Sequence, residues 1–263
     1  MAGAAEDTMA EVRTNRFKRD LGKRQMLGIF STLASPLLTE LFAQIGFDWI
    51  LIDTEHSPNE PGDVVAQLQA MSASATEAIV RPAWSDMVLV KRVLDLGAQT
   101  LLFPYVENAQ EAARAVSYTR YAPRGIRGVS GSSRAAAYGL IPNYFATVER
   151  EICVIVQIET AEALSRIEEI AAVDGVDAVF IGPADLAASM GHLGNTQHPD
   201  VQAAIDDGFR RLKAMGKPAG YLTNNEQEAA RRVAQGIDFV GIGNDTTIVV
   251  RGARSLLAAV RPA

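Results

Sequence analysis

The chain has 263 residues, of which 48% are hydrophobic and 21% are charged, and its formal net charge is −6. Its length suits a single (β/α) barrel as well as two smaller domains. The acidic balance argues against binding to nucleic acid or to an anionic membrane, because both require a basic surface. The single cysteine, Cys153, excludes an intrachain disulfide, and its place in an apolar run indicates a buried hydrophobe.

The first 25 residues are interrupted by charged side chains and lack the apolar core of a signal peptide. Nowhere does the sequence approach the 18 or more consecutive apolar residues of a membrane span. These observations predict a cytoplasmic protein. The N-terminus begins with small and polar residues, so we predict a flexible extension over residues 1–20 and one folded domain over residues 21–263.

Eight short apolar runs alternate with longer segments along the chain. Several of these runs are nearly continuous in Val, Ile, Leu and Phe, as is typical of parallel strands that are covered on both faces. They predict strands at Leu27–Phe30, Trp49–Asp53, Ala78–Arg81, Thr100–Phe103, Val154–Glu159, Ala178–Gly182, Ala219–Leu222 and Phe239–Gly243.

The segments between these runs have helical periodicity. Apolar side chains share one face of Asp86–Leu96, and Asn108 can act as the N-cap of Ala109–Tyr118. Eight βα units in series predict a closed (β/α)8 (TIM) barrel, because parallel strands need helical crossovers and closure removes both sheet edges. The pattern alone leaves an open doubly wound sheet as the alternative. Further helix starts are indicated at Ser35-Pro36, Glu60-Pro61 and Thr160.

The longest connection, between residues 103 and 154, contains the Gly- and Arg-rich stretch Arg120–Gly131. A loop of this length in a compact domain is usually functional or packs against a neighbour. Its arginines could bind phosphate or carboxylate groups, or they could belong to a solvated loop. The sequence leaves both interpretations open.

Polar side chains stand at the carboxyl ends of the predicted strands, where barrel enzymes carry their chemistry. Gln157 and Glu159 share one face of their strand because strand side chains alternate. We predict that they meet, at one rim of the barrel, the polar residues that follow three other strands, namely Asp53, His56, Arg81 and Asp185.

Each of these residues also has an ordinary structural interpretation. Asp53 could cap a turn, His56 could be a surface histidine, and Arg81 could be held extended by the proline that follows it. Glu159 could simply begin a helix. The coincidence of several such groups on one rim favours a functional site. Two other histidines lie in loop or helix-start contexts and are interpreted as structural, His192 and His198.

Carboxylates from different strands, without clustered Cys or His, suit a hard cation with oxygen ligands. Glu159 and Asp185 are the best pair for Mg²⁺ or Mn²⁺, with Co²⁺ or another divalent ion as alternatives; zinc is disfavoured. A Schiff-base aldolase needs a lysine on a barrel strand, and no predicted strand contains one. Carbon–carbon chemistry at this rim would therefore need a metal ion to take up the enolate charge. The five lysines are Lys18, Lys23, Lys91, Lys213 and Lys217.

These residues lie in stretches that closely resemble the HpcH/HpaI aldolase family, the class II pyruvate aldolases. The likeness extends over about 240 residues, from about residue 20 to about residue 260, and the motifs are highly specific as a set. The matching stretches are Gly46–His56, Val80–Pro82, Lys91–Gly97, Arg120–Gly128, Val156–Thr160, Phe180–Leu186 and Gly191–Gly194.

The resemblance implies a (β/α)8 barrel whose last helix is exchanged between the subunits of a homo-oligomer, commonly a hexamer. It implies that Glu159 and Asp185 bind the metal ion, that His56 is the base, and that Arg81 stabilises the developing enolate. The residues that it implies for substrate binding are Gln157 together with the backbone at Ala184 and Asp185.

Two further carboxylates follow from the resemblance. Asp53 and Asp95 would orient His56 and increase its basicity, and in the family the second of them can come from a neighbouring subunit. Family members differ in the segment after the seventh strand, where the aldehyde side chain can lodge. There, Leu222 could offer an apolar wall and the following asparagines polar contacts.

The implied reaction is the reversible cleavage of a 4-hydroxy-2-oxo acid to pyruvate, or hydroxypyruvate, and an aldehyde through a metal-stabilised enolate. Its partners would be a small-molecule 2-oxo acid and an aldehyde. A related lyase that decarboxylates oxaloacetate or acts on an acyl-CoA is the first alternative, although no basic rim for CoA is evident. A non-catalytic barrel that binds a 2-oxo acid is the second.

Overall fold

The computed structural model describes residues 10–261. Eight parallel strands close into a barrel, each pairing with the next along the chain and the last pairing with the first. This confirms the predicted TIM barrel, and every strand lies within one residue of its predicted bounds. The strands are β1 Met26–Ser31, β2 Trp49–Asp53, β3 Glu77–Arg81, β4 Thr100–Phe103, β5 Cys153–Ile158, β6 Ala178–Ile181, β7 Ala219–Leu222 and β8 Phe239–Asn244.

Helices surround the barrel, and two short 3-10 segments, Arg134–Gly139 and Val148–Glu151, lie in the long connection before β5. The helices are α1 Arg16–Asp20, α2 Pro36–Ile45, α3 Pro61–Ala70, α4 Met87–Asp95, α5 Ala109–Thr119, α6 Tyr144–Thr147, α7 Ala161–Ser165, α8 Ile167–Ala171, α9 Pro183–Ser189, α10 Pro199–Ala214, α11 Glu226–Ala234 and α12 Asp245–Val260.

The predicted helix starts are confirmed by their caps. The side chains of Asp86, Asn108 and Thr160 each accept a backbone N–H from the first turn of the following helix. Pro36 and Pro61 occupy first-turn positions, where proline is tolerated because its missing N–H has no partner there anyway. These local signals fix where each helix leaves the barrel rim.

Aromatic side chains fill the barrel interior. Trp49 and Phe239 are almost completely buried, and their rings meet edge to face at 6.1 Å between centroids. Two glycines make room for them. A Cβ at Gly28 would lie 2.0 Å from the Trp49 ring, and one at Gly220 would lie 2.1 Å from the Phe239 ring. Cys153 is also completely buried at the start of β5, which confirms its interpretation as a core residue.

The predicted N-terminal extension is too long, because its last residues are folded. Asn15 caps α1 and donates hydrogen bonds to Thr100 Oγ1 and to the Glu151 carbonyl, and Phe17 is 1% exposed. The Phe17 ring packs edge to face on Phe239, 5.3 Å between centroids, and so covers the amino-terminal end of the barrel. Residues 1–9 of the extension lie outside the described residues.

The last helix, α12, is anchored to the barrel by its first two turns, most firmly at its start. The buried carboxylate of Asp245 accepts the backbone N–H groups of Thr32 and Leu33 at 2.9 to 3.0 Å. From Ile248 to the end of the helix every side chain is exposed, including those of Val249, Val250, Leu256, Leu257 and Val260. In residues 10–261 no helix has both the length and the apolar character needed to cross a membrane.

Candidate active site

A cavity of about 460 Å³ opens at the carboxyl end of the barrel. Seven of the predicted site residues line it, which are His56, Arg81, Gln157, Glu159, Ala184, Asp185 and Leu222. Another cavity, of about 400 Å³, opens at the opposite end of the barrel, beside Lys213 and Lys217, and contains none of them. The fold therefore brings the predicted residues together at the end where barrel enzymes carry out their chemistry.

Arg81 and Asp53 form a buried bidentate ion pair. They are register partners on β3 and β2, and Arg81 donates from Nε to Asp53 Oδ1 at 2.8 Å and from Nη2 to Oδ2 at 2.7 Å. The Glu55 N–H also binds Asp53 Oδ1. The carboxylate of Asp53 is therefore paired with the guanidinium of the neighbouring strand and not with His56, and its role in orienting His56 stays a prediction.

Glu55 is the carboxylate that lies near His56, and the sequence interpretation missed it. Its Oε2 lies 3.8 Å from His56 Nε2 and 2.9 Å from Arg81 Nη1. Burial raises the pKa of Glu55, with the positive charge of Arg81 opposing that rise. The His56 side chain is 66% exposed and stands at the cavity wall. The sequence does contain a signal for Glu55, which is the order Asp-Thr-Glu-His at the end of β2. A turn that begins there can bring the side chain of the third residue back to the rim of the barrel.

Glu159 follows β5 and is held from two sides. Its Oε1 accepts the Tyr105 N–H at 2.8 Å, and its Oε2 accepts Nε2 of Gln157 at 2.6 Å. Burial, followed by the negative charges of Glu55 and Asp185, raises the pKa of Glu159 to about 7. A carboxylate that is buried among other carboxylates in this way favours either a proton or a cation beside it.

Asp185 lies in the first turn of α9, which begins directly after β6 at Pro183. The preceding Gly182 lies against the other site residues, since a Cβ there would stand 2.8 Å from both Gln157 Nε2 and Glu159 Oε2. Glycine therefore lets the β6–α9 turn pass close to the end of β5 without displacing these two side-chain ends. This close passage brings Glu159 and Asp185 to one wall of the cavity.

The charges of the site do not balance. Arg81 neutralises Asp53 and also contacts Glu55, while Glu159 and Asp185 face the cavity without an arginine or lysine partner among the described residues. Glu159 is buried whereas Asp185 is exposed to the cavity, and burying an unpaired carboxylate such as that of Glu159 is unfavourable unless a proton or a cation compensates for it. Oxygen ligands of this type suit a divalent ion such as Mg²⁺ or Mn²⁺. The donor set therefore fits a divalent metal ion.

The structure does not bring Asp95 into this cavity. Asp95 ends α4, which runs back from the carboxyl end of β3 toward the start of β4, so it lies at the opposite end of the barrel. There its Oδ1 lies 3.4 Å from Nη2 of the buried Arg127. A contact between Asp95 and His56 within one chain is excluded, and its role at the site of a neighbouring subunit stays a prediction.

The two remaining histidines stack on each other beside the rim, with ring centroids 3.5 Å apart. Nδ1 of His198 accepts the Asp200 N–H at the start of α10, and His192 Nε2 lies 3.8 Å from the Asp200 carboxylate. This capping role agrees with their interpretation as structural. The segment between them contributes Thr196 and Gln197 to the cavity wall.

All five lysines lie among the described residues, and none of them lines the carboxyl-end cavity. A parallel barrel whose rim carries a histidine, a fixed arginine and a surplus of carboxylates has groups suited to moving a proton, holding a negative charge and binding a cation, and no lysine is placed to form an imine.

Comparison with known proteins identifies the family to which the chain belongs. Residues 26–252 match the family model described as HpcH/HpaI aldolase/citrate lyase. A pyruvate aldolase of Rhizobium etli is 52% identical over 250 residues, covering 94% of this chain and 98% of the relative. A 4-hydroxy-2-oxo-heptane-1,7-dioate aldolase of Klebsiella pneumoniae is 50% identical over 246 residues, covering 93% of each chain.

A crystal structure of a HpcH/HpaI aldolase/citrate lyase family protein from Burkholderia cenocepacia superposes with a TM-score of 0.91. It is 39% identical and covers 95% of this chain and 100% of its own. The chain belongs to the HpcH/HpaI aldolase/citrate lyase family. It is an enzyme, a carbon–carbon lyase of the aldolase type, as its resemblance to that family predicted.

Proposed function

We propose that the chain is a divalent-metal-dependent aldolase that reversibly cleaves a 4-hydroxy-2-oxo acid into pyruvate and an aldehyde. The observation that carries this proposal is the placement of Glu159 and Asp185 on one wall of a cavity that also contains Arg81 and His56. Relatives with about half of their residues identical are named for pyruvate and for a 4-hydroxy-2-oxo acid, which supports this substrate class.

Glu159 and Asp185 would hold the metal ion, with Mg²⁺ or Mn²⁺ as the preferred ions and Co²⁺ as an alternative. When bound, the ion supplies Lewis-acid stabilisation of the enolate charge. Gln157 and the Tyr105 N–H hold the two oxygens of Glu159 and so fix the direction in which this carboxylate binds. Such supporting hydrogen bonds orient a ligand and tune its affinity.

Gln157 and the first-turn N–H groups of Ala184 and Asp185 would position the carboxylate and keto group of the 2-oxo acid. These N–H groups point along the start of α9, where no carbonyl of the preceding turn satisfies them. Arg81 would stabilise the negative charge that develops on the keto oxygen. Its bidentate pairing with Asp53 holds the guanidinium in place before the reaction, so little reorganisation is needed.

His56 would take the proton of the C4 hydroxyl, aided by the neighbouring Glu55. As the O–H bond breaks, a C4=O bond forms and the C3–C4 bond breaks, so the aldehyde departs. The electron pair of that bond becomes the C2–C3 double bond of the enolate. The proton from His56 can then be returned to C3, which gives pyruvate and restores the base.

We also propose that the chain forms a homo-oligomer, a hexamer in the simplest case, with α12 exchanged between subunits. The support is the apolar surface that α12 exposes from Ile248 to Val260, while the contacts of α12 with its own barrel come from its first two turns, chiefly Asp245 and Arg251. In such an assembly Asp95 of one subunit would reach the His56 region of another. Light scattering combined with sedimentation tests the stoichiometry, and a monomer at micromolar concentration would contradict it.

A steady-state assay of pyruvate release from a 4-hydroxy-2-oxo acid tests the reaction. We expect activity to disappear after treatment with EDTA and to return on addition of Mg²⁺, Mn²⁺ or Co²⁺. Full activity in a chelator-treated sample whose metal content is below the enzyme concentration would overturn the metal requirement. Absence of pyruvate release with every metal and substrate tried would overturn the aldolase proposal itself.

A further inference from the structure

The loop that follows β4 holds a tyrosine in a strained backbone conformation, in direct contact with Glu159. Tyr105 has a φ of +54°, which lies in the left-handed region that glycine adopts freely and tyrosine rarely adopts. From this conformation its N–H donates to Oε1 of Glu159 at 2.8 Å. Backbone strain of this kind persists only where the surrounding structure holds it. Contacts of Tyr105 must therefore stabilise the left-handed conformation.

The left-handed conformation decides where the Tyr105 N–H points. On its carboxyl side the chain is fixed, because Val106 is buried and its N–H donates to the Gln157 carbonyl at 3.1 Å. Rotation of φ toward the ordinary value of about −60° would then turn the peptide between Pro104 and Tyr105 by about 110°. The N–H would leave Glu159, and Oε1 of this carboxylate would lose its hydrogen bond.

The Tyr105 ring is held by stacking on another exposed aromatic side chain. Tyr105 is 42% exposed and Trp84 is 53% exposed, and their rings stack with centroids 6.0 Å apart and planes inclined by 30°. Stacked rings cover apolar surface from water and attract each other through their charge distributions. The ring of Tyr105 would leave Trp84 if its backbone rotated, so the stack stabilises the left-handed conformation.

The stack also joins two loops at a point of the rim where pairing between their strands has stopped. The register between β3 and β4 ends at Val80 and Leu101, before the last residue of either strand. Pairing of β3 with β2 and of β4 with β5 continues to the last residue of β3 and of β4. Trp84 lies in the loop after β3 and Tyr105 in the loop after β4. The aromatic contact therefore connects these neighbours beyond the end of their backbone pairing.

We propose that Trp84 and Tyr105 are positioning residues for Glu159. This inference rests on the proposed function, in which Glu159 binds a divalent ion. The stacked rings hold the left-handed backbone, the backbone directs the Tyr105 N–H, and this N–H fixes one oxygen of the carboxylate. A carboxylate that is already oriented needs less rearrangement when an ion binds, so loss of the stack should weaken metal binding.

Hydrogen–deuterium exchange of the Tyr105 amide in metal-free protein tests the first step without using the reaction. We expect this amide to be protected in the wild type, because it is bound to Glu159. In Trp84→Ala the protection factor should fall by about twofold to tenfold, which is the contribution of an aromatic pair. Tyr105→Phe retains the stacked ring and should retain the protection.

Two substitutions at position 105 separate the backbone strain from the ring. Tyr105→Ala removes the ring and keeps the unfavourable conformation, whereas Tyr105→Gly removes both the ring and the cost of φ > 0. We expect the protection factor to be about fivefold to thirtyfold lower in Tyr105→Ala than in Tyr105→Gly. Adding Trp84→Ala to Tyr105→Gly should have no further effect, because no stack is left to lose.

Calorimetric titration with Mn²⁺ tests the second step. In Trp84→Ala and Tyr105→Ala we expect the Kd for Mn²⁺ to rise by the factor by which amide protection falls, and kcat at saturating Mn²⁺ to fall by less. Partial unfolding would lower the binding stoichiometry and leave the Kd unchanged. Tyr138→Ala is the matched control, since Tyr138 is also exposed and left-handed, with φ of +59°, and lies outside the cavity wall.

Four results would overturn the inference. They are an unprotected Tyr105 amide in the wild type, wild-type protection in Trp84→Ala, equal protection in Tyr105→Ala and Tyr105→Gly, and wild-type Mn²⁺ affinity in a Trp84→Ala protein that has lost protection. A wild-type protein that shows the protected amide and the expected order of variants, yet binds no Mn²⁺, would instead overturn the proposed function.

Discussion

The two ends of the barrel differ in how their polar side chains are paired. At the amino-terminal end, Phe17 packs on Phe239 and the polar groups of Asn15 find partners in the protein. At the carboxyl end, Glu159 and Asp185 line the cavity, and among the described residues neither forms an ion pair with an arginine or a lysine. At one end of the same strands the polar groups are therefore paired within the protein, and at the other end two carboxylates have no ion-pair partner among the described residues.

The largest expected effect is at the carboxyl end. Glu159→Gln or Asp185→Asn removes one negative oxygen ligand from the set that fits a divalent ion. We expect pyruvate release to fall by about 10³-fold or more, because the metal contribution to enolate stabilisation is worth several kcal/mol. Calorimetric titration with Mn²⁺ should show a parallel loss of binding. Glu162→Gln, an exposed residue of the next helix, is the control; wild-type Mn²⁺ affinity in both ligand variants would contradict the assignment.

His56→Ala should separate proton transfer from metal binding. General-base assistance contributes about 10²- to 10⁴-fold, so we expect kcat to fall within that range. His56 is not one of the two proposed metal ligands, which are Glu159 and Asp185. The affinity for Mn²⁺ should therefore change by less than a few-fold. A kcat within threefold of the wild type would show that another group carries the proton.

Phe17→Ala tests the opposite end of the barrel. Truncating a buried phenylalanine costs about 3–5 kcal/mol of unfolding free energy, because apolar contacts are lost and a cavity remains. Urea unfolding at fixed protein concentration measures this loss, with Phe145→Ala as a partly exposed control. The folded enzyme should keep its kcat. A fall in kcat without a fall in stability would mean that the two ends are not independent.

The pH dependence of stability should reveal the uncompensated charge of the metal-free site. Glu159 has a pKa of about 7 when folded, against 4.5 ordinarily, so the folded state binds a proton that the unfolded chain releases. The corresponding stability is fully present below about pH 4.5 and is lost as pH rises toward 7, about 3 kcal/mol in all. The free energy of unfolding, measured in EDTA between pH 4.5 and 8, should fall less steeply in Glu159→Gln than in the wild type.

Glu169→Gln, at an exposed glutamate, provides the control for this pH series. It should follow the wild-type curve. Identical slopes for Glu159→Gln and the wild type would contradict the raised pKa. Saturating Mn²⁺ should remove the difference, because the ion replaces the proton.

The smallest effect concerns the spacing of the site. In Gly182→Ala the new Cβ must displace Gln157 Nε2 and Glu159 Oε2, each 2.8 Å away. A shift of a few tenths of an ångström should lower kcat/KM by about tenfold, since catalysis depends on alignment. Gly62→Ala, where the added Cβ meets nothing within 4 Å, should have no effect. Equal kinetics for both variants would show that the turn can relax without cost.

The sequence was sufficient to predict the barrel and most of the rim. Each strand is an apolar run, and a polar residue such as Glu159 or Arg81 stands where the run stops, so position along the chain also gives position in space. Pairing across strands could not be predicted in the same way. Which carboxylate binds Arg81 depends on the register of β2 and β3, and this register is set by packing of the whole barrel.

Contacts between distant segments were also beyond sequence reasoning. Asn15 and Phe17 have no periodic pattern around them that would indicate burial, and their partners are on β4 and β8. Arg251 lines the active-site cavity although it lies in the exposed part of α12. Its place at the cavity follows from Asp245, whose burial only the folded structure reveals.

The interlocked glycines and aromatic rings of the barrel interior constrain how this chain can diverge. Any side chain at Gly28 would collide with Trp49, and any at Gly220 would collide with Phe239, while the two rings also touch each other. A single substitution at either glycine is therefore selected against unless the facing ring shrinks at the same time. These four positions should evolve as one unit, changing together or not at all, while the cavity wall above them is free to drift toward new aldehydes.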